Sequence, residues 1–164
     1  HGSREHELLV ELGDLPLHQV DPKNLRAALD ESGIRWRVVV VSACFSGGFV
    51  RALQDPHTLV ITAARSDRTS FGCGSDSEIT WFGKAFFAEA LNETTDFREA
   101  FTVARKQIRA WEREDDITPS WPQISEGALI GAKLDALRAG LPPAPAVPFV
   151  PTVPAPPLAD GDSG

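Results

Sequence analysis

Hydrophobic positions along the chain follow two patterns, one typical of buried strands and one of amphipathic helices. Runs rich in β-branched residues predict core strands over residues 35–43 and 58–64. A short helix is predicted between Asp21 and Gly33, because Asp21 can cap it, Pro22 suits its first position and Gly33 can end it.

Further helices are predicted over residues 46–54, 80–91 and 96–114. Apolar residues recur in the last two at helical spacing, and we expect them to be core: Phe82, Ala85, Phe86, Ala90, Phe97, Ala100, Phe101, Ala104, Ile108 and Trp111. Residues 123–137 predict a small strand turn followed by a helix. Because helices alternate with strands, an α/β fold with a parallel sheet and right-handed crossovers is favoured.

The two ends of the chain carry separate expectations. The chain begins at His1 and contains no methionine, and a sheet of two strands is seldom stable alone. We therefore expect the C-terminal part of a longer protein, residues 1–140, with its first strands upstream. Residues 141–164 hold eight of the 13 prolines. They predict an extended tail, for which a linker or disordered terminus is favoured over a ligand for another domain.

Composition narrows the classes of partner. The length of 164 residues and 42% hydrophobic content suit one globular domain. A net charge of −7 argues against nucleic acid or an anionic membrane as the main partner. No segment approaches the roughly 20 apolar residues of a membrane span. Cys44 and Cys73 are too few for a disulfide scaffold and lack the close pairing of a zinc site. No metal or organic cofactor is implied by the sequence.

Cys44 lies where an α/β protein builds its chemistry, at the carboxyl end of the first predicted strand. A lone cysteine is otherwise a small buried hydrophobe. With a reference pKa of about 8.5, a thiol needs a histidine or a helix N-terminus to become a nucleophilic thiolate. The helix predicted from Ser46 supplies the second of these.

Four histidines could supply the base. His6, His18 and His57 lie in polar or loop-like sequence, and we interpret each as a solvated side chain. Only His1, which Gly2 and Ser3 follow, is typical of a strand-end loop open to substrate. Spacing alone does not establish its pairing with the thiol.

Two other nucleophile motifs fit less well. A tyrosine-phosphatase loop requires five residues between cysteine and arginine, whereas six separate Cys44 from Arg51. An α/β-hydrolase elbow needs glycine two residues before and two after its nucleophile, and neither Cys44 nor Ser46 has both.

Several motifs together resemble the legumain-type (asparaginyl endopeptidase) cysteine peptidases of the caspase-like clan, in particular their bacterial members. They are His1-Gly2-Ser3, Val38-Val39-Val40-Val41-Ser42-Ala43-Cys44-Phe45-Ser46-Gly47-Gly48-Phe49, Ile61-Thr62-Ala63-Ala64, Ser70-Phe71-Gly72-Cys73, Thr80-Trp81-Phe82-Gly83 and Pro122-Gln123. The resemblance covers nearly everything before the tail. It implies a caspase-like three-layer α/β sandwich with a mostly parallel sheet, and a cysteine endopeptidase that acts on peptide or protein substrates without a cofactor.

By that resemblance, His1 and Cys44 match the catalytic dyad, and the backbone amides of Gly2 and Cys44 form the oxyanion hole. An acyl-enzyme on Cys44 would be released by water. Release by an amine would give a new peptide bond, so a transpeptidase is one alternative. A catalytically inactive caspase-like binding domain is another.

The resemblance also places Ser42, Ser70 and Lys84 in the pocket for the residue before the cleaved bond. The eukaryotic legumain pattern has acidic residues at the first and third of these positions. A hydroxyl and an ammonium stand there in this chain, so the preference for asparagine is not carried over. An acidic or uncharged polar residue is expected, and a solvated Lys84 is the alternative. Cys73 matches a position without a catalytic role and is expected to be buried.

Overall fold

A three-stranded sheet lies at the centre of the computed structural model, which describes residues 1–10, 19–72 and 79–141. Its strands, in spatial order, are β1 (Arg37–Val41), β2 (Thr58–Thr62) and β3 (Gln123–Glu126). β1 runs parallel to β2, and β3 runs antiparallel to β2. The parallel pairing predicted for the first two strands is confirmed.

The helices of the described residues follow the predicted order. They are α1 (Pro22–Glu31), α2 (Val50–Leu53), α3 (Trp81–Gly83), α4 (Leu91–Glu93), α5 (Phe97–Glu114) and α6 (Ile130–Ala139). A π-helical segment, Lys84–Ala90, joins α3 to α4 without a break. As predicted, the Asp21 side chain caps α1, accepting hydrogen bonds from the amides of Lys23 and Asn24 at 2.7 and 2.8 Å.

The segment after Cys44 differs from its prediction. A continuous helix was expected over residues 46–54, but Ser46–Phe49 is a 3₁₀ turn, which runs directly into the short helix α2. Consecutive glycines at 47 and 48 disfavour a regular α-helix, because glycine loses the most backbone freedom when it is ordered.

Helices cover both faces of the sheet. Leu59 and Ile61 of β2 face one side, where they pack against Phe82, Phe86 and Phe101. Val60 faces the other side, because successive strand residues point in opposite directions. There it meets the second cluster of buried residues, Val41, Ala43, Phe49 and Leu53, with Leu25 and Leu29 of α1 against it.

The predicted three-layer α/β arrangement is therefore confirmed. The predicted core residues of the later helices are buried, except that Phe97 and Trp111 are partly buried against that core. No helix in the described ranges is long and apolar enough to cross a membrane. His18, Cys73 and the predicted tail from residue 142 onward lie outside the described residues.

Candidate active site

The nucleophile turn, residues 42–49, begins directly after β1. Phe45 takes a left-handed conformation with φ of 55°, which is uncommon for a bulky residue. Its amide donates to the carbonyl of Arg68 at 2.8 Å, and the buried hydroxyl of Ser46 accepts from the amide of Ala64 at 3.1 Å. These bonds to the chain after β2 hold the turn in a conformation that it would not favour alone.

The Cys44 thiol is half-buried and lies against Ser70. The Ser70 amide donates to Sγ at 3.3 Å, and the thiol donates to the Ser70 carbonyl at 3.4 Å. Two residues predicted for the site from separate parts of the sequence are therefore neighbours.

His1 and Gly2 belong to a small hairpin, residues 1–10, that lies on this turn. Gly2 faces Leu8, and the flanking bonds run from Ser3 N–H to the Glu7 carbonyl and from Leu9 N–H to the His1 carbonyl, each at 2.9 Å. In an antiparallel pair of this type, the amide of Gly2 points away from Leu8.

The hairpin touches the nucleophile turn through Gly2. A Cβ at Gly2 would overlap the carbonyl oxygen of Cys44 and lie 3.1 Å from Ala43 Cβ, so only glycine allows this approach. The two backbones predicted to form the oxyanion hole are thus in contact, and the exposed His1 precedes one of them.

Ser42 is joined to the start of α3. Its exposed hydroxyl lies 3.2 Å from Oγ1 of Thr80, which also accepts from Gly83 N–H at 2.9 Å and so caps the helix. Sequence analysis gave Thr80 no role in the site. Its position before the apolar Trp81 and Phe82 is the signal for an N-cap.

Lys84 is largely buried, with 12% of its side chain exposed. Its Nζ lies 3.8 Å from Oε1 of Glu89 and 5.3 Å from the ring centre of Trp111. The alternative of a solvated Lys84 is therefore wrong. Aromatic contacts run from Trp111 to Trp81, edge to face, and on to Phe71, with centroids 5.7 and 5.5 Å apart, and this path ends beside Ser70.

The interpretation of His6 and His57 as solvated side chains is also wrong. His57 is half-buried, with its ring centre 4.8 Å from that of Trp36. His6 is half-buried on the nucleophile turn, where Nδ1 lies 3.0 Å from the Phe45 carbonyl oxygen. Polar neighbours in sequence suggested exposure, but the turn of the hairpin directs His6 inward. No local sequence signal identifies this contact.

Comparison with known proteins adds one finding to this geometry. A family model described as the peptidase C13 family matches residues 1–129, which include the hairpin, the nucleophile turn and all three strands. No curated protein matches the chain.

Within the described ranges, no three His, Cys, Asp or Glu side chains come together in a way that could hold a metal ion.

Proposed function

Because the chain belongs to the peptidase C13 family, the legumain family of cysteine peptidases, we propose that it is an endopeptidase with a His1/Cys44 dyad. The predicted relationship to legumain-type enzymes is confirmed, and the family implies protein substrates. The observation that carries the proposal is the contact of Gly2 with the Cys44 backbone. It brings the residue after His1 onto the nucleophile turn.

The proposed reaction begins when the Cys44 thiol passes its proton to His1 and the resulting thiolate attacks the peptide carbonyl carbon. As the carbon–sulfur bond forms, the carbonyl electron pair moves onto oxygen, and the amides of Gly2 and Cys44 donate to that oxyanion. Collapse of the intermediate breaks the carbon–nitrogen bond, and His1 gives its proton to the departing amine. Water then attacks the thioester while His1 accepts a proton, and the Cys44 thiolate is released.

The pocket for the residue before the cleaved bond is proposed to lie beside Ser42 and Ser70. Ser42 offers an exposed hydroxyl next to that of Thr80, and Ser70 lies against the thiol. Hydroxyl-bearing walls suit a polar side chain, because they can pair its buried donors and acceptors. Lys84 would add attraction for a carboxylate, which the nearby Glu89 carboxylate weakens.

The test is cleavage by the full-length protein of a fluorogenic peptide library that varies the residue before the scissile bond. We expect turnover that disappears in Cys44→Ala, persists in Cys73→Ala, and prefers asparagine-like or aspartate-like residues. Cysteine-independent turnover, or none from a protein shown to be folded, contradicts the proposal. The second result would support a binding domain instead.

The transpeptidase alternative is separated in the same assay by adding a peptide with a free amino terminus. A hydrolase gives two cleavage fragments, because water takes the acyl group. A transpeptidase gives a ligated product whose yield rises with the added amine and requires Cys44. Mass spectrometry distinguishes the two outcomes.

A further inference from the structure

We propose that His6 is a positioning residue that holds the nucleophile turn against the hairpin that carries His1 and Gly2. The inference rests on the proposed function, because it assigns those two elements to one active site. His6 has a left-handed backbone conformation, which histidine does not favour.

The hairpin turn is of a kind that usually requires glycine. Ser3 N–H donates to the Glu7 carbonyl at 2.9 Å, and His6 N–H donates to the Ser3 carbonyl at 3.1 Å. This is a three-residue loop whose last residue must be left-handed, and His6 accordingly has φ of 65°. Glycine adopts this conformation readily, whereas a residue with a Cβ does so at a cost.

The His6 ring makes two contacts with the nucleophile turn. Nδ1 lies 3.0 Å from the Phe45 carbonyl oxygen. A carbonyl oxygen only accepts hydrogen bonds, so Nδ1 must carry the hydrogen. In the neutral ring this is the tautomer with hydrogen on Nδ1 and none on Nε2. A Cβ at Gly48 would overlap the ring, so glycine there leaves the space in which the imidazole lies.

The bonded carbonyl belongs to the residue that follows the nucleophile. Phe45 is itself left-handed, and its amide is held by the Arg68 carbonyl at 2.8 Å. His6 holds the other side of the same residue. The orientation of the Cys44 amide and thiol depends on this turn, and a displacement of about 1 Å in such a site can cost on the order of 100-fold in rate. His6 therefore links both halves of the proposed site.

The decisive variant is His6→Gly, because it relieves the left-handed strain while it removes the imidazole. If His6 served only the hairpin turn itself, activity would be unchanged. The positioning role predicts a fall in kcat of about 10- to 100-fold with a smaller change in KM. Asp116→Gly is the matched control, because the exposed Asp116 also has a positive φ, of 52°. We expect it to keep wild-type kinetics.

A second variant reaches the same contact from the opposite side. Gly48→Ala should displace the ring and lower kcat similarly, whereas Gly140→Ala should not, because its Cβ would lie 3.6 Å from the Leu137 carbonyl oxygen, at ordinary contact distance. The double variant His6→Gly/Gly48→Ala should be no slower than the slower single variant, because both remove one interaction. If the fold-loss of kcat in the double variant equalled the product of the two single losses, the proposal would be contradicted.

Two readouts do not depend on peptidase activity. Histidine ¹⁵N NMR at about pH 8.5, well above the reference pKa of histidine, should show His6 with its hydrogen on Nδ1. Alkylation of Cys44 by iodoacetamide should slow about 10-fold in His6→Gly. Protonation at Nε2, or a His6→Gly protein within about twofold of wild type in kcat and alkylation, overturns the inference. If the wild type has no Cys44-dependent turnover, the proposed function fails, and these two readouts still decide the role of His6.

Discussion

The carbonyl oxygen of Cys44 lies against the α-carbon of Gly2, so closely that any side chain at position 2 would overlap it. The approach is between backbones, and it brings the hairpin to the nucleophile turn at the residue after His1. A contact of this kind tolerates no added atom, because neither backbone can yield as a flexible side chain can.

Gly2→Ala should therefore separate the hairpin from the turn and lower Cys44-dependent kcat/KM by about 100-fold. The sheet and its buried clusters do not include Gly2, so the thermal unfolding midpoint should change little. Gly140→Ala near the end of α6 is the control. Wild-type turnover by Gly2→Ala would show that this contact does not position the site.

The charge on Lys84 can be tested by changing both partners of its ion pair. Lys84→Met should lower the ratio of cleavage after aspartate to cleavage after asparagine about 10-fold, because the ammonium that attracts the carboxylate is lost. Glu89→Gln should raise that ratio, because the Glu89 carboxylate, whose Oε1 lies 3.8 Å from Lys84 Nζ, would no longer offset the charge of the ammonium. The measurement is kcat/KM on two matched peptides. If neither variant moves the ratio, Lys84 does not face the pocket.

Much of the fold follows from local sequence. Asp21 and Pro22 fix the start of α1, and the apolar spacing of residues 97–111 fixes the buried face of α5. The run before Cys44 identifies a buried strand, and its carboxyl end predicts where chemistry is built. These features depend on neighbours within a few residues, which the sequence displays directly.

The rest of the proposed site depends on geometry that the sequence does not display. His6 meets Phe45 across 39 positions of the chain, and no periodicity links the two. Lys84 and Glu89 are five residues apart, a spacing that does not align on an α-helix. They meet within the π-helical segment Lys84–Ala90, where the backbone bonds themselves span five residues.

Glu112 anchors the end of α5 to the chain before β3. Its buried Oε1 accepts from the amide and hydroxyl of Ser120 at 2.6 and 2.5 Å, and the Ser120 carbonyl accepts from Arg65 N–H at 2.9 Å. Glu112→Ala should lower the free energy of unfolding by about 1–3 kcal/mol, because two buried donors lose their acceptor. Chemical denaturation measures it. The exposed Glu114 provides the control, and equal costs for Glu112→Ala and Glu114→Ala would contradict the anchoring role.

Asp96 should make stability depend on pH. Its carboxylate caps α5 and accepts from the Arg98 amide and Nε at 2.9 and 3.0 Å, and it also binds Arg138. These contacts hold the pKa of Asp96 well below its usual value, and the hydrogen bonds from the Arg98 side chain are the largest cause. A carboxyl whose pKa is lowered by folding stabilises the protein above its unfolded pKa, near 4, and that stability is lost as the pH falls toward the lowered value.

Asp96→Asn isolates this effect, because asparagine caps helices about as well as aspartate but carries no charge. At neutral pH it should unfold about 1–3 kcal/mol more easily than wild type, and the difference should shrink progressively below about pH 4. Urea unfolding across a pH series measures both. Asp67→Asn is the control, because the Asp67 side chain is 60% exposed in its pair with Arg65 and such pairs contribute little. A difference for Asp96→Asn that stays constant down to about pH 2 would show that its charge does not stabilise α5.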